Sequence, residues 1–317
     1  MVTYPKNIVI IGGTGLIGQH LVKRLISAGY NPVVLTRSIF KGKKCFGDTV
    51  QVTYWDGYDI TSLTTIINSS VGVVNLAGES IATRWTKSKK ERIWKSRINT
   101  TNTIDHAIKG CFQPPAVFVQ ASAIGYYSHN SNQQVDEDSA VGNGFLSQVV
   151  MQWEQAAQKV EDRSRLVIVR TGIVLSRDGG FLAKILPAIK LFIGGWFGNG
   201  HQMLSWIHID DHVNAIQFLI DNNAAKGIYN LVSPEAITYK HFVKQIGRIL
   251  RRPVWTSIPS FIVRLVFGKM ANEVLLSNQN VLPKRLQSAG YRFKYGRIEV
   301  ALIDLLVKKK QKSTDFI

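Results

Sequence analysis

Ile8-Val9-Ile10-Ile11-Gly12-Gly13-Thr14-Gly15-Leu16-Ile17-Gly18 is the stretch on which the fold turns. Four β-favouring apolar residues run into a glycine-dense turn. Beyond it Leu16, Ile17, His20, Leu21, Arg24, Leu25 and Ala28 recur at helical spacing. A buried strand, a tight turn and an amphipathic helix are the opening of a dinucleotide-binding βαβ unit. Two registers fit, Gly13-x-Gly15-x-x-Gly18 and Gly12-x-x-Gly15-x-x-Gly18. Gly12 and Gly13 permit the turn. Gly15, lacking a Cβ, lets a pyrophosphate approach the backbone, and Gly18 lets the helix pack closely on the sheet. The N–H groups of Thr14, Leu16 and Ile17 then face the phosphates, aided by the helix dipole.

Working outward, the next strand (33–35) ends at Thr36-Arg37-Ser38. Sites for NAD usually carry a carboxylate near this point to hold the ribose 2′-OH. A neutral Thr beside a guanidinium would instead accept a 2′-phosphate through forked hydrogen bonds. NADP(H) is therefore the expected cofactor. Asp56, after a third strand at 50–55, is expected beside the adenine. A fourth strand (71–76) runs into Leu76-Ala77-Gly78-Glu79, where small residues let backbone cover the ribose and pyrophosphate. Glu79 projects from a strand end, where open parallel sheets keep their chemistry. A long basic helix (86–109) and a fifth strand (116–121) lead to Ala121-Ser122-Ala123-Ile124-Gly125-Tyr126-Tyr127. A polar loop (128–144), a helix (145–160) and a sixth strand (166–169) ending at Arg170 follow. Ala121 and Arg170 complete the expected cofactor contacts.

Past Ser176 the alternation loosens. Helices are expected at 181–192, 213–220, 239–250, 259–268 and 272–280, a glycine-rich loop at 194–200, and strands at 227–231 and 253–258. Trp255, Phe261 and Phe267 are expected in the core. The reading is thus α/β: a Rossmann-like doubly wound parallel sheet with a smaller C-terminal α/β substrate lobe. Residues 1–175, with 208–232 returning, form the NADP-binding part. Residues 176–207 and 233–307 form the lobe, and 308–317 a basic tail.

Composition bounds the rest. The chain has 317 residues, 45% of them hydrophobic, and a net charge of +18. No signal peptide and no run of about 18 apolar residues stands out, so a cytoplasmic protein without a membrane partner is expected. Cys45 and Cys111 have no metal-ligand spacing; reduced thiols and no metal are expected. The basic residues are dispersed and no nucleic-acid motif accompanies them, so the charge is read as general composition plus a phosphate-bearing cofactor.

Asn75–Glu79, Ala121–Tyr127, Arg170–Leu175, Ser205-Trp206-Ile207-His208-Ile209-Asp210-Asp211 and Val281-Leu282-Pro283 together resemble an extended short-chain dehydrogenase/reductase. The subgroup is the epimerase family that carries a C-terminal domain of unknown function. The resemblance runs nearly end to end and implies a nicotinamide cofactor, a small-molecule substrate and a possible homodimer. It also implies a Tyr-x-x-x-Lys pair on the helix after the fifth strand, with a Ser or Thr orienting the reacting oxygen. In this chain Leu146 and Val150 align with that pair, and Ala123 with the hydroxyl residue. The expected catalytic candidates are therefore Glu79, Ser122 and Tyr126, with Tyr127 and His208 nearby. Three readings remain open: an NADP-dependent oxidoreductase or epimerase with a non-standard active site, a catalytically silent NADP(H)-binding sensor or interaction module, and a polyanion-binding protein.

Overall fold

A computed structural model describes residues 6–307; the basic tail expected at 308–317 lies outside them. In chain order, β1 (Asn7–Ile11), α1 (Leu16–Ser27), β2 (Asn31–Thr36), α2 (Ile39–Phe46), β3 (Gln51–Tyr54), α3 (Ile60–Ile67), β4 (Gly72–Asn75), α4 (Lys87–Gly110) and β5 (Val117–Ala123) form a regular α/β alternation. A single 3₁₀ turn (Ile124–Tyr126), β6 (Asn130–Val135), α5 (Phe145–Gln158), β7 (Arg165–Thr171), β8 (Ile173–Leu175), α6 (Gly180–Lys190), β9 (Gly195–Phe197), β10 (Met203–Leu204), β11 (Trp206–His208), α7 (Ile209–Asp221) and β12 (Gly227–Leu231) follow. The chain continues through β13 (Ile237–Thr238), α8 (Tyr239–Leu250), β14 (Thr256–Ile258), α9 (Ser260–Phe267), a π-helical turn (Ala271–Leu275), β15 (Asn278–Val281), α10 (Lys284–Ser288) and α11 (Ile298–Leu306).

Seven of these strands form one parallel sheet in the order β12-β7-β5-β4-β1-β2-β3. The strand order reverses between β1 and β4, which opens a crevice at their C-terminal ends. The unbroken apolar run of β1 has a simple cause, because both faces of the sheet are covered. Ile8 and Ile10 pack with Leu21 and Leu25 of α1 and with Ile216 and Leu219 of α7. Val9 and Ile11 pack on the other face with Leu63 of α3, and with Ile104 and Ile108 of α4. Each such buried side chain contributes roughly 1.5–3 kcal/mol, so β1 is the keel of both layers. A separate core gathers Trp206, Phe242, Ile246 and Leu302 in the C-terminal lobe.

Five readings are corrected. The polar loop at 128–144 contains β6, and the helix expected at 272–280 ends at Leu275. Residues 278–281 instead pair in parallel with β6. Backbone pairing there is locked by Ser205 Oγ, which donates to Gln279 O and accepts from Val281 N–H. These polar Asn/Gln strands lack the apolar pattern that marks a strand in sequence. The glycine loop at 194–200 contains β9, which pairs with β14. α2 was unmarked because its Lys- and Gly-rich sequence hides the apolar face; Ser38 starts it as N-cap, accepting from Lys41 N–H. Last, Trp255 and Phe261 are exposed rather than core.

Candidate functional site

The crevice is built first by glycines. Gly12 sits at φ +81°, and a Cβ there would lie 2.8 Å from the Leu76 carbonyl carbon. A Cβ on Gly13 would meet Val34 at 2.9 Å, and one on Gly18 would meet Gly13 Cα at 2.5 Å. Those three positions are fixed by packing within the protein, and Gly18 clears the turn itself rather than the sheet. Gly15 is different. Its Cβ would approach only the Gly12 carbonyl oxygen, at 3.3 Å. Gly15 is the N-cap of α1, no side chain caps that helix, and no acidic residue occupies its first turn. An uncapped helix start facing open space has the donor set and the room for a pyrophosphate, so the residues present fit a dinucleotide.

Arg37 is exposed at the end of β2 and makes no hydrogen bond or ion pair among the described residues. Thr36 Oγ1 accepts from Ser38 N–H, and Ser38 Oγ caps α2, so both hydroxyls are engaged in the turn. Asp56 Oδ1 accepts from the N–H groups of Tyr58 and Asp59, which holds its carboxyl below the usual range. Leu76 N–H donates to Ile11 O, and Ala77 N–H to Asn75 Oδ1, so this turn is pinned against β1.

Glu79 closes the corner. Its carboxylate meets Lys89 Nζ at 2.5 Å, with Arg92 Nε at 4.0 Å. The Lys89 hydrogen bond and the charges of Lys89, Arg92 and Arg37 lower its pKa against a smaller desolvation effect. Glu79 is therefore a fixed carboxylate rather than a proton carrier near neutrality. Its backbone is clamped from α4: N–H to Ser96 Oγ at 3.0 Å, and carbonyl to Arg97 Nη1 at 3.1 Å. Arg97 fills the space beside Gly78, where a Cβ would meet Nη2 at 3.1 Å, and stacks on Trp153. Burial lowers its pKa to about 10. The basic run of α4 hid Ser96 and Arg97, because nothing in their spacing separates them from a solvated face.

Ser122 and Arg170 turn out to share one buried network. They face each other across β5 and β7. Ser122 Oγ donates to Glu154 Oε1 at 2.5 Å. Arg170, 1% exposed, holds Glu154 through Nε–Oε1 and Nη2–Oε2 at 2.8 and 2.7 Å. Burial opposes its charge, but Glu154 outweighs that and keeps its pKa raised. Its Nη1 donates to the Tyr127 hydroxyl, which donates in turn to Asn230 Oδ1. Desolvation pushes Tyr127 up to about 12. Arg170 is thus committed to a strut joining β5, α5, β7 and β12, a correction to its expected place on the cofactor. Glu154 was the missed partner; one carboxylate on the apolar face of α5 was its only signal.

Tyr126 is the exception among the hydroxyls. It is half-buried, its ring lies 3.4 Å over the Arg170 guanidinium, and its hydroxyl makes no hydrogen bond among the described residues. Leu146 and Val150 are buried in α5, which bears no Tyr or Lys. Ala121, at the end of β5, is half-buried and packs near Trp153.

The His208–Asp211 motif is structural. His208 caps α7, its Nδ1 accepting from Asp210 N–H, and stacks on Tyr295 at 3.8 Å. Asp211 accepts from the N–H groups of Lys294 and Tyr295. His212 is buried beside Thr171 Oγ1, and desolvation lowers its pKa to about 3. A depressed histidine stabilises the fold fully above about pH 6.5 and loses that contribution as pH falls toward 3. Unfolding free energies from urea titrations taken from pH 7 down to 4.5 should therefore decline, by up to about 1.4 kcal/mol per pH unit from this group. His212→Gln should flatten that part of the slope; an unchanged slope would refute the assignment.

The profile of the NAD dependent epimerase/dehydratase family matches residues 8–231, and that of a domain of unknown function, DUF1731, matches residues 258–305. The Arabidopsis thaliana "Epimerase family protein SDR39U1 homolog, chloroplastic" is 36% identical over 301 residues, covering 93% of this chain and 85% of the relative. "Epimerase family protein YfhF" of Bacillus subtilis is 34% identical over 306 residues, covering 96% and 99%. A solved structure of human epimerase family protein SDR39U1 (isoform 2) with NADPH superposes with a TM-score of 0.86 at 32% identity, covering 94% of this chain and 98% of that one.

Proposed function

The chain belongs to the NAD dependent epimerase/dehydratase family, and from that premise we propose that it binds NADP(H) and works as an oxidoreductase or epimerase on a small molecule, with an active site that lacks the Tyr-x-x-x-Lys pair. The observation that carries the reading is Gly15, whose missing side chain is, among the glycines of the turn, constrained least by the protein, with the Gly12 carbonyl oxygen at 3.3 Å as the one close neighbour of an added Cβ. The NADPH bound to the human relative supports the same choice of cofactor. Residues 1–175 and 208–232 hold the cofactor; 176–207 and 233–307 supply the substrate side.

When bound, NADP(H) supplies or accepts a hydride at its nicotinamide ring. The chain's own residues divide the remaining work. The N–H groups of Leu16 and Ile17 bind the pyrophosphate and Arg37 the 2′-phosphate. Ser96 and Arg97 hold the Gly78–Glu79 backbone in place as positioning residues. Tyr126 donates a hydrogen bond to the reacting oxygen, and the guanidinium beneath its ring strengthens that donor.

NADPH should bind more tightly than NADH. Arg37→Ala should remove most of that preference, a loss of about 1.5–3 kcal/mol read as the ratio of the two dissociation constants. Equal affinities in the native protein would refute the role of Arg37. Turnover is tested by following NADPH absorbance against a panel of carbonyl compounds. Oxidation that Tyr126→Phe slows by about a hundredfold or more supports the enzyme reading. Tight NADPH binding with no oxidation of any compound would favour the silent sensor, a reading supported by the engagement of Glu79 and Ser122 in fixed contacts.

A further inference from the structure

The C-terminal lobe carries a surface that the cofactor site does not use. Between Glu235 and Glu273 the sequence has no Asp or Glu and seven Lys or Arg; between Asp178 and Asp210 it has no carboxylate and two Lys. None of those nine cations forms an ion pair among the described residues. The same two segments expose large apolar side chains. Ile193 is 70% exposed, Trp255 75% and Leu265 75%, with Leu191, Phe192 and Phe261 also open. The fold brings them together. Parallel pairing of β9 with β14 sets Gly195 opposite Thr256, which places the Leu191–Ile193 turn beside Trp255. Arg252 lies 4.7 Å from the Phe192 ring. α9 begins two residues after β14 and buries only Val263.

Soluble surfaces intersperse both charge signs and avoid large apolar patches. Here aromatic and aliphatic groups project from segments that carry cations and no carboxylate, although Glu299 of α11 meets His241 of α8; exposed apolar groups among cations are the pattern of a helix or loop that lies in a membrane interface. We propose that this lobe docks on an anionic lipid surface, with Trp255, Phe261 and Leu265 entering the headgroup boundary and the cations meeting lipid phosphates. A second copy of the chain would cover the apolar groups but set the unpaired cations against each other. A nucleic acid would satisfy the cations but leave the aliphatic groups in water. This contact is peripheral, since no helix of the described residues is long and apolar enough to cross a membrane.

The test is sedimentation of the full chain with phosphatidylcholine vesicles, with and without phosphatidylglycerol, over a salt series. Binding should require phosphatidylglycerol and weaken with salt. Replacing exposed Lys244, Arg248 and Arg251 by Gln should lower the partition coefficient roughly a hundredfold, each cation near the surface contributing about fivefold. Trp255→Ser with Leu265→Ser should also abolish sedimentation while NADPH binding stays unchanged. The proposal is overturned by no sedimentation at low salt, or by a charge variant that binds as the native chain does. It is equally overturned if the chain ignores vesicles but forms a dimer that the Trp255/Leu265 changes disperse, or ignores vesicles but binds duplex DNA.

Discussion

Glu154→Ala should destabilise the protein by about 3–5 kcal/mol, the usual cost of leaving one member of a buried ion pair without its partner. Arg170 would keep its charge in a site 1% exposed, with the Tyr127 hydroxyl as its one remaining side-chain acceptor among the described residues. Ser122 would lose its acceptor as well. The loss should appear as a lower urea midpoint with an unchanged slope. The double change Glu154→Met with Arg170→Met should recover much of it, because apolar groups of similar volume can replace a buried pair at little cost. If Glu154→Ala unfolds no more easily than the native chain, the network is not the strut described above.

Gly15→Val should leave the fold standing and remove cofactor binding. Its first added carbon has one close neighbour, the Gly12 carbonyl oxygen at 3.3 Å, and the branched side chain would compete with a pyrophosphate at the α1 N-terminus. Gly18→Ala gives the opposite result, because its Cβ would stand 2.5 Å from the Gly13 backbone and the turn would have to break. The loss of NADPH affinity in Gly15→Val should exceed about 3 kcal/mol, as charge-assisted hydrogen bonds of about 1.5–3 kcal/mol each are displaced together. The thermal midpoint without cofactor should fall much less for Gly15→Val than for Gly18→Ala.

The Rossmann half was legible because its signals are local. β1 is apolar on both faces, the glycines crowd into seven positions, and α1 follows with a clear apolar stripe. Helices α7 and α8 and strand β12 were legible for the same reason. The polar pair β6 and β15 was not, because its strands are held by backbone and amide contacts that leave no hydrophobic period. The site divides in the same way. Gly15 and Arg37 are proposed as cofactor contacts on signals that chain position alone supplies. Arg170, Ser122 and Glu154 are not legible in that way, since their roles depend on which side chains face each other across β5, β7 and α5. Ser96 and Arg97 were masked by the other cations of α4, and Trp255 by the assumption that a tryptophan is buried.

The proposed roles of Gly15 and Arg37 depend on NADP(H) occupying the crevice above them. Fluorescence titration of the purified chain and of Gly15→Val with NADPH tests that occupancy most directly. Saturable one-to-one binding to the native chain, displaced only weakly by NADH, is expected, with no saturation of the Gly15→Val protein while it remains folded. Equal NADPH affinity in the two proteins, or no binding to the native chain, would contradict it.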